Sequence, residues 1–207
     1  MAHLPPVDTF DYIVFGGTGD LTMRKLLPAL YHRYRDGQIP EDSRIIGTAR
    51  SPLSRAEYQQ RAQAALGEHV KPDALDDATV QRFLNMVYYV SLNGAEADSD
   101  WPALKALFGD ASTSRIRVYY LATSPALYGQ ICENLSREDL ITAQSRVVLE
   151  KPIGTDLASA EAINDSVGRH FPENHIFRID HYMGKETEQN QIALRIAKPV
   201  FEQLLSS

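Results

Sequence analysis

Short, mainly apolar runs alternate along this chain with longer stretches of helical period, a pattern that predicts strands joined by helices. FDYIVF, from Phe10 to Phe15, reads as a buried strand. A helix follows over Thr22 to Arg35, closed by the turn pair Asp36 and Gly37, and Pro28 inside it is expected to introduce a kink. SRIIGTA gives a second strand ending near Thr48, MVYYVSL a third, RIRVYYLA a fourth, SRVVLEKP a fifth and HIFRID a short sixth. Helices are predicted over Arg55 to Leu66, Asp76 to Asn85, Trp101 to Phe108, Pro125 to Leu135 and Leu157 to Phe171. Lys185 to Leu205 also reads as helical, with Pro199 as a break.

Strands linked by helix-length crossovers predict an α/β fold, a Rossmann-like doubly wound parallel sheet with helices on both faces. The central strands lack polar alternation, as expected when both faces are covered. With 207 residues, 43% of them apolar, the chain can bury one well-packed domain of ordinary size. The net charge of -6 argues against nucleic acid as a partner, since a protein that grips phosphates along a duplex carries a basic surplus. Cys132 is the single cysteine, so no intrachain disulfide forms, and no Cys/His grouping has metal-ligand spacing. Cys132 is expected to be a buried hydrophobe. The N-terminus lacks the layout of a signal peptide, and no run is long enough to span a membrane, so a cytoplasmic location is expected.

The first candidate chemistry follows the first strand, at Gly16, Gly17, Thr18, Gly19, Asp20 and Leu21. Glycines let a backbone turn sharply and approach phosphates closely, and the amides that open a helix favour an anion. The pattern is Gly-x-x-Gly, shorter than the full dinucleotide fingerprint, so a plain turn stays open as an alternative. The second strand runs into Gly47-Thr48-Ala49-Arg50-Ser51. An NAD enzyme commonly carries an acid there for the ribose hydroxyl. Arg50 offers instead a charged planar fork that suits a 2′-phosphate, which favours NADP over a surface arginine of no role.

GGTGDLTMRKLLPALYHRYRDGQIP, EKPIGTDL at Glu150 to Leu157 and RIDHYMGKE at Arg178 to Glu186 together resemble the glucose-6-phosphate dehydrogenase family. YYLATSP and GTARS agree, and Met183 replaces the usual Leu of the third segment. The resemblance runs from about Asp11 to Phe201 and implies oxidation of glucose 6-phosphate at C1 with reduction of NADP. It places the pyrophosphate on Gly16 through Leu21 and the 2′-phosphate on Arg50. Lys151 would lie between nicotinamide and sugar and touch both, in a segment where Pro152 often follows a cis peptide. His181, Tyr182 and Lys185 would hold the sugar phosphate, and Asp180 would help orient that segment. Lys151 and Asp180 are thus the expected catalytic residues within the chain. Residues 1–180 read as the NADP-binding domain and 181–207 as the first segment of a substrate domain.

The family's general base, a histidine paired with an aspartate, is expected beyond Ser207, as is the large sheet through which the family forms homodimers or homotetramers. The 207-residue chain is therefore expected to lack appreciable dehydrogenase activity by itself. Two other readings are a truncated nucleotide-binding module without catalysis and a Rossmann sugar dehydrogenase of the glucose–fructose oxidoreductase type. The Asp-His-Tyr-Met-Gly-Lys-Glu peptide argues against the second.

Overall fold

The computed structural model describes residues 7–109 and 115–179. Six strands form one sheet: β1 (Phe10–Phe15), β2 (Arg44–Ala49), β3 (Val87–Ser91), β4 (Ile116–Leu121), β5 (Ser145–Glu150) and β6 (Ile176–Ile179). Their order is β3-β2-β1-β4-β5-β6, and each neighbouring pair is parallel. The chain thus winds outward from β1 in one direction, then returns to its other side at β4 and winds outward again. Six helices accompany the strands: α1 (Leu27–Arg35), α2 (Arg55–His69), α3 (Asp77–Asn85), α4 (Trp101–Phe108), α5 (Tyr128–Arg137) and α6 (Leu157–Gly168).

The two faces of the sheet carry separate cores, and β1 feeds both. Tyr12 and Val14 pack with Leu30 and Tyr31 of α1, Tyr58 and Leu66 of α2 and Phe83 of α3. Ile13 and Phe15 pack with Trp101 of α4, Ile131 and Cys132 of α5 and Val167 of α6. Successive strand residues point to opposite faces. A strand covered on both sides therefore has few polar positions, and this is the physical reason for the mostly apolar runs in the sequence.

All six predicted strands and their helical crossovers are present, with differences at the ends. The helix expected over Thr22 to Arg35 is divided: a π turn spans Thr22–Leu26, and α1 proper begins at Leu27. The amide of Leu27 donates to the Thr22 carbonyl five residues back. Pro28, which has no N–H to offer, comes next and falls in the first turn of α1, so the expected kink is a widened turn just ahead of the proline. α2 continues to His69, α5 starts at Tyr128 after a 3₁₀ turn over Pro125–Leu127, and α6 stops at Gly168. Asp76 caps α3 from outside, its carboxylate accepting the Thr79 amide at 2.8 Å. The helix predicted over Lys185 to Leu205, and the domain boundary expected at 180, lie outside the described residues.

Among the described residues, three charged side chains are buried along the strands, Asp11, Arg117 and Arg146. Asp11 of β1 is 0% exposed, and its carboxylate accepts from Nε and Nη2 of Arg44 at 2.7 and 2.8 Å. Arg115 stands 3.4 Å away on the same carboxylate. A buried carboxylate needs such a forked cation, because its desolvation must be offset by directed hydrogen bonds. Replacing Asp11 by Ala should lower the unfolding free energy by about 3–5 kcal/mol, since Arg44 keeps its charge in a largely buried place. Chemical denaturation measures this, and a loss below about 1 kcal/mol would show the pair to be dispensable.

Cys132 is fully buried, as expected, and burial pushes its thiol up to about 12. At pH 8 the thiolate fraction is then roughly one in 10,000. The native chain should resist a disulfide-exchange reagent at pH 8 that labels it promptly in denaturant. Equal labelling rates in the two states would place the thiol at the surface.

Candidate functional site

The candidate residues gather at the carboxyl ends of the strands. Register sets Thr48, Phe15, Leu121 and Leu149 in one row across β2, β1, β4 and β5. The chain reaches Gly16 one residue beyond this row, Ala122 beyond β4 and Lys151 just past β5. Adjacent strands are about 4.8 Å apart, so Lys151 lies roughly 10 Å across the sheet from the start of the glycine loop. β1 and β4 are where the winding reverses, and in an open parallel sheet that reversal opens a crevice for a ligand.

The glycine loop is shaped by close backbone approach. Gly16 has φ +90°, and a Cβ there would stand 2.2 Å from the Ala122 carbonyl oxygen. At Gly17 a Cβ would meet the Gly47 Cα at 2.7 Å, and at Gly19 the Gly16 carbonyl oxygen at 3.1 Å. The amides of Gly16 and Gly17 both donate to the Thr48 carbonyl, at 3.0 and 2.9 Å. The Gly19 amide and the Thr22 hydroxyl both donate to the Gly16 carbonyl, at 2.9 and 3.0 Å. The turn closes on itself and leads directly into helical backbone at Asp20 and Leu21. Early amides of a helix have no helical acceptor, so the helix start that follows this turn can receive a phosphate, while the glycine amides themselves are taken up in folding the turn.

Thr18 is half-buried, Asp20 and Gly19 are exposed, and Leu21 packs against the α1–α3 core. Asp20 pairs with Arg24 at 3.3 Å on the surface. Arg50 follows the end of β2 and is exposed, with no acid at that strand end. Lys151 is also exposed, its amide donates to the Ile179 carbonyl at 2.8 Å, and the Lys151–Pro152 peptide is cis. That amide ties the lysine to the last described residue of β6, immediately before Asp180. Asp180, His181, Tyr182 and Lys185 themselves lie outside the described residues.

Four tyrosines beneath this edge were not singled out in the sequence. The Tyr58 hydroxyl donates to the Gly17 carbonyl at 2.8 Å, and Tyr89 reaches the turn that carries Arg50. Tyr128 opens α5, and its hydroxyl accepts the Glu150 amide at 3.3 Å and lies 3.4 Å from the Glu150 carbonyl, where β4 has already ended. Burial pushes Tyr128 up to about 12. Burial, with Tyr12 and the Glu150 carboxylate beside it, pushes Tyr120 well above the ordinary phenol range. These groups remain neutral donors through the physiological range. A tyrosine in the polar helix RAEYQQRAQAALGEH was the available signal for Tyr58; the others merge into apolar runs.

Among known proteins, the family model described as the glucose-6-phosphate dehydrogenase NAD binding domain matches residues 13–190. A glucose-6-phosphate 1-dehydrogenase of Gluconobacter oxydans is 58% identical over 200 residues, 97% of this chain and 41% of that protein. One from Rhizobium meliloti is 50% identical over 206 residues, 100% of this chain and 42% of that protein. Among solved structures, a glucose-6-phosphate dehydrogenase in complex with its substrate glucose-6-phosphate matches with a TM-score of 0.76 at 32% identity, covering 97% of this chain and 42% of that one. The chain spans about two fifths of the length of the curated relatives it matches. With this family match over most of the chain, and with a glycine turn at the winding reversal and a lysine two strands away, the chain belongs to the glucose-6-phosphate dehydrogenase family, in the part that forms its NAD binding domain.

Proposed function

We propose that this chain supplies the coenzyme-binding part of a glucose-6-phosphate 1-dehydrogenase, which oxidises glucose 6-phosphate at C1 to 6-phosphogluconolactone, the first step of the pentose phosphate pathway. The observation that carries the reading is the glycine cradle at the reversal point, on the same sheet edge as Lys151. Bound NADP would supply the hydride acceptor. Gly16 to Leu21 would seat its pyrophosphate: the amides of Gly16, Gly17 and Gly19 fold the turn, the missing Cβ atoms at Gly16 and Gly17 let it pack against Ala122 and Gly47, and the helix start at Asp20 and Leu21 faces the anion. Arg50 takes the 2′-phosphate with its guanidinium fork.

Lys151 lies where nicotinamide and sugar meet. Its ammonium orients the C1 hydroxyl and steadies negative charge that grows on that oxygen as its proton leaves. The Lys151 amide is anchored to the Ile179 carbonyl, the end of β6. In the segment from Asp180 onward, His181, Tyr182 and Lys185 bind the sugar phosphate, and Asp180 holds the segment in orientation. A cytoplasmic enzyme assembled as a homodimer or homotetramer fits this reading; among the described residues no helix is long and apolar enough to cross a membrane.

Two substitutions test it. Arg50→Ala should weaken NADP binding about 10- to 100-fold while leaving NAD binding nearly unchanged, because only the phosphate loses its charged partner. Unchanged NADP affinity would remove Arg50 from the site. In the catalytically active protein, Lys151→Ala should lower kcat/KM for glucose 6-phosphate by about 100-fold or more, read as NADPH formation by absorbance. A wild-type kcat/KM in that variant would refute the assignment of the lysine.

A further inference from the structure

Two stacked tyrosines stand behind the two loops that receive the cofactor. Tyr58 of α2 is 0% exposed and Tyr89 of β3 is 8% exposed. Their rings lie 4.7 Å apart, inclined by 29°. The hydroxyls serve different loops. That of Tyr58 donates to the Gly17 carbonyl at 2.8 Å, inside the glycine turn. That of Tyr89 lies 2.7 Å from the Ser51 carbonyl and 3.1 Å from the Ala49 carbonyl, the two that flank Arg50.

Those flanking carbonyls already have amide donors. Leu92 donates to Ala49 and Leu53 to Ser51, each at 2.9 Å. The Tyr89 hydroxyl is therefore a tether added to a turn whose backbone is otherwise satisfied. It does not rescue an orphaned group. Arg50 itself is exposed, so the direction of its side chain follows the backbone of this turn. A long, exposed side chain is ordered cheaply only if its base is fixed beforehand. Burial raises the pKa of both phenols, which keeps both O–H groups as donors in the neutral range.

The geometry points to Tyr89 as a positioning residue for Arg50, and through it as a determinant of the choice between a 2′-phosphorylated and an unphosphorylated dinucleotide. This rests on Arg50 being the 2′-phosphate ligand. Tyr58 is the internal comparison: it shares the stack and the burial, but its hydroxyl braces the loop for the pyrophosphate that both dinucleotides contain. The two hydroxyls thus divide the labour between affinity common to both cofactors and discrimination between them.

Dissociation constants for NADP and NAD, measured on the protein and on Tyr89→Phe, Tyr58→Phe, Arg50→Ala and the Arg50→Ala/Tyr89→Phe pair, test this division. Phenylalanine keeps both rings in the stack. Tyr89→Phe should weaken NADP about fivefold and leave NAD unchanged. Tyr58→Phe should weaken both dinucleotides by a similar factor. Once Arg50 is gone, Tyr89→Phe should no longer alter the ratio of the two constants. If Arg50→Ala lowers the NADP preference and Tyr89→Phe does not, or if Tyr89→Phe weakens both dinucleotides equally, the positioning role is overturned and the Arg50 assignment stands. If Arg50→Ala itself leaves the preference unchanged, both are overturned.

Discussion

The carbonyl of Thr48 is the point from which the coenzyme loop hangs. It accepts the amides of Gly16 and Gly17 together, so β2 dictates where the chain leaves β1. Such convergence demands close passage of two backbones, and a Cβ on Gly17 would lie 2.8 Å from the Thr48 nitrogen. Thr48 is itself turned inward, its hydroxyl donating to the Val14 carbonyl at 3.3 Å. Gly47 is held just as tightly, since a Cβ there would stand 2.2 Å from the Tyr58 hydroxyl oxygen. Within Gly-Thr-Ala-Arg-Ser, then, the first two residues shape the loop next door, and the exposed arginine lies just beyond them.

Strands and winding were legible because burial on both faces leaves a plain trace: Tyr12, Ile13, Val14 and Phe15 can all be apolar only if each side of β1 has its own core. Helix ends were less legible. Gly67, Glu68 and His69 continue α2 beyond Leu66, its last clear apolar position, and Val70 is the first residue to leave helical geometry. The π turn could not be read at all, since it depends on where Thr22 and the α1 aromatics are anchored in space and not on local composition. For the site, the glycines and Arg50 announced themselves by position at strand ends, and Lys151 through the Glu-Lys-Pro segment that carries the resemblance. Tyr58, Tyr89, Tyr120 and Tyr128 did not, because a tyrosine in an apolar run reads as core until its hydroxyl's partner is known.

The two edges of the sheet treat charge in opposite ways. At the amino edge Asp11 is locked against Arg44 and Arg115, and Arg44 also lies 5.8 Å over the Phe108 ring. At the carboxyl edge Arg50 and Lys151 are exposed. Paired charge at one end secures the frame, and at the other the two cationic side chains stay in solvent.

The widened turn at Thr22–Leu26 has a further meaning. Its wider loop stores a single surplus residue in the rod that carries the glycine cradle at one end and the aromatic anchors Tyr31 and Tyr34 at the other. A chain shorter by one position there would wind as ordinary α-helix between the same two fixed points. The extra residue is thus taken up within that one turn, and ordinary α-helical geometry resumes at Leu27 ahead of the core-facing aromatics.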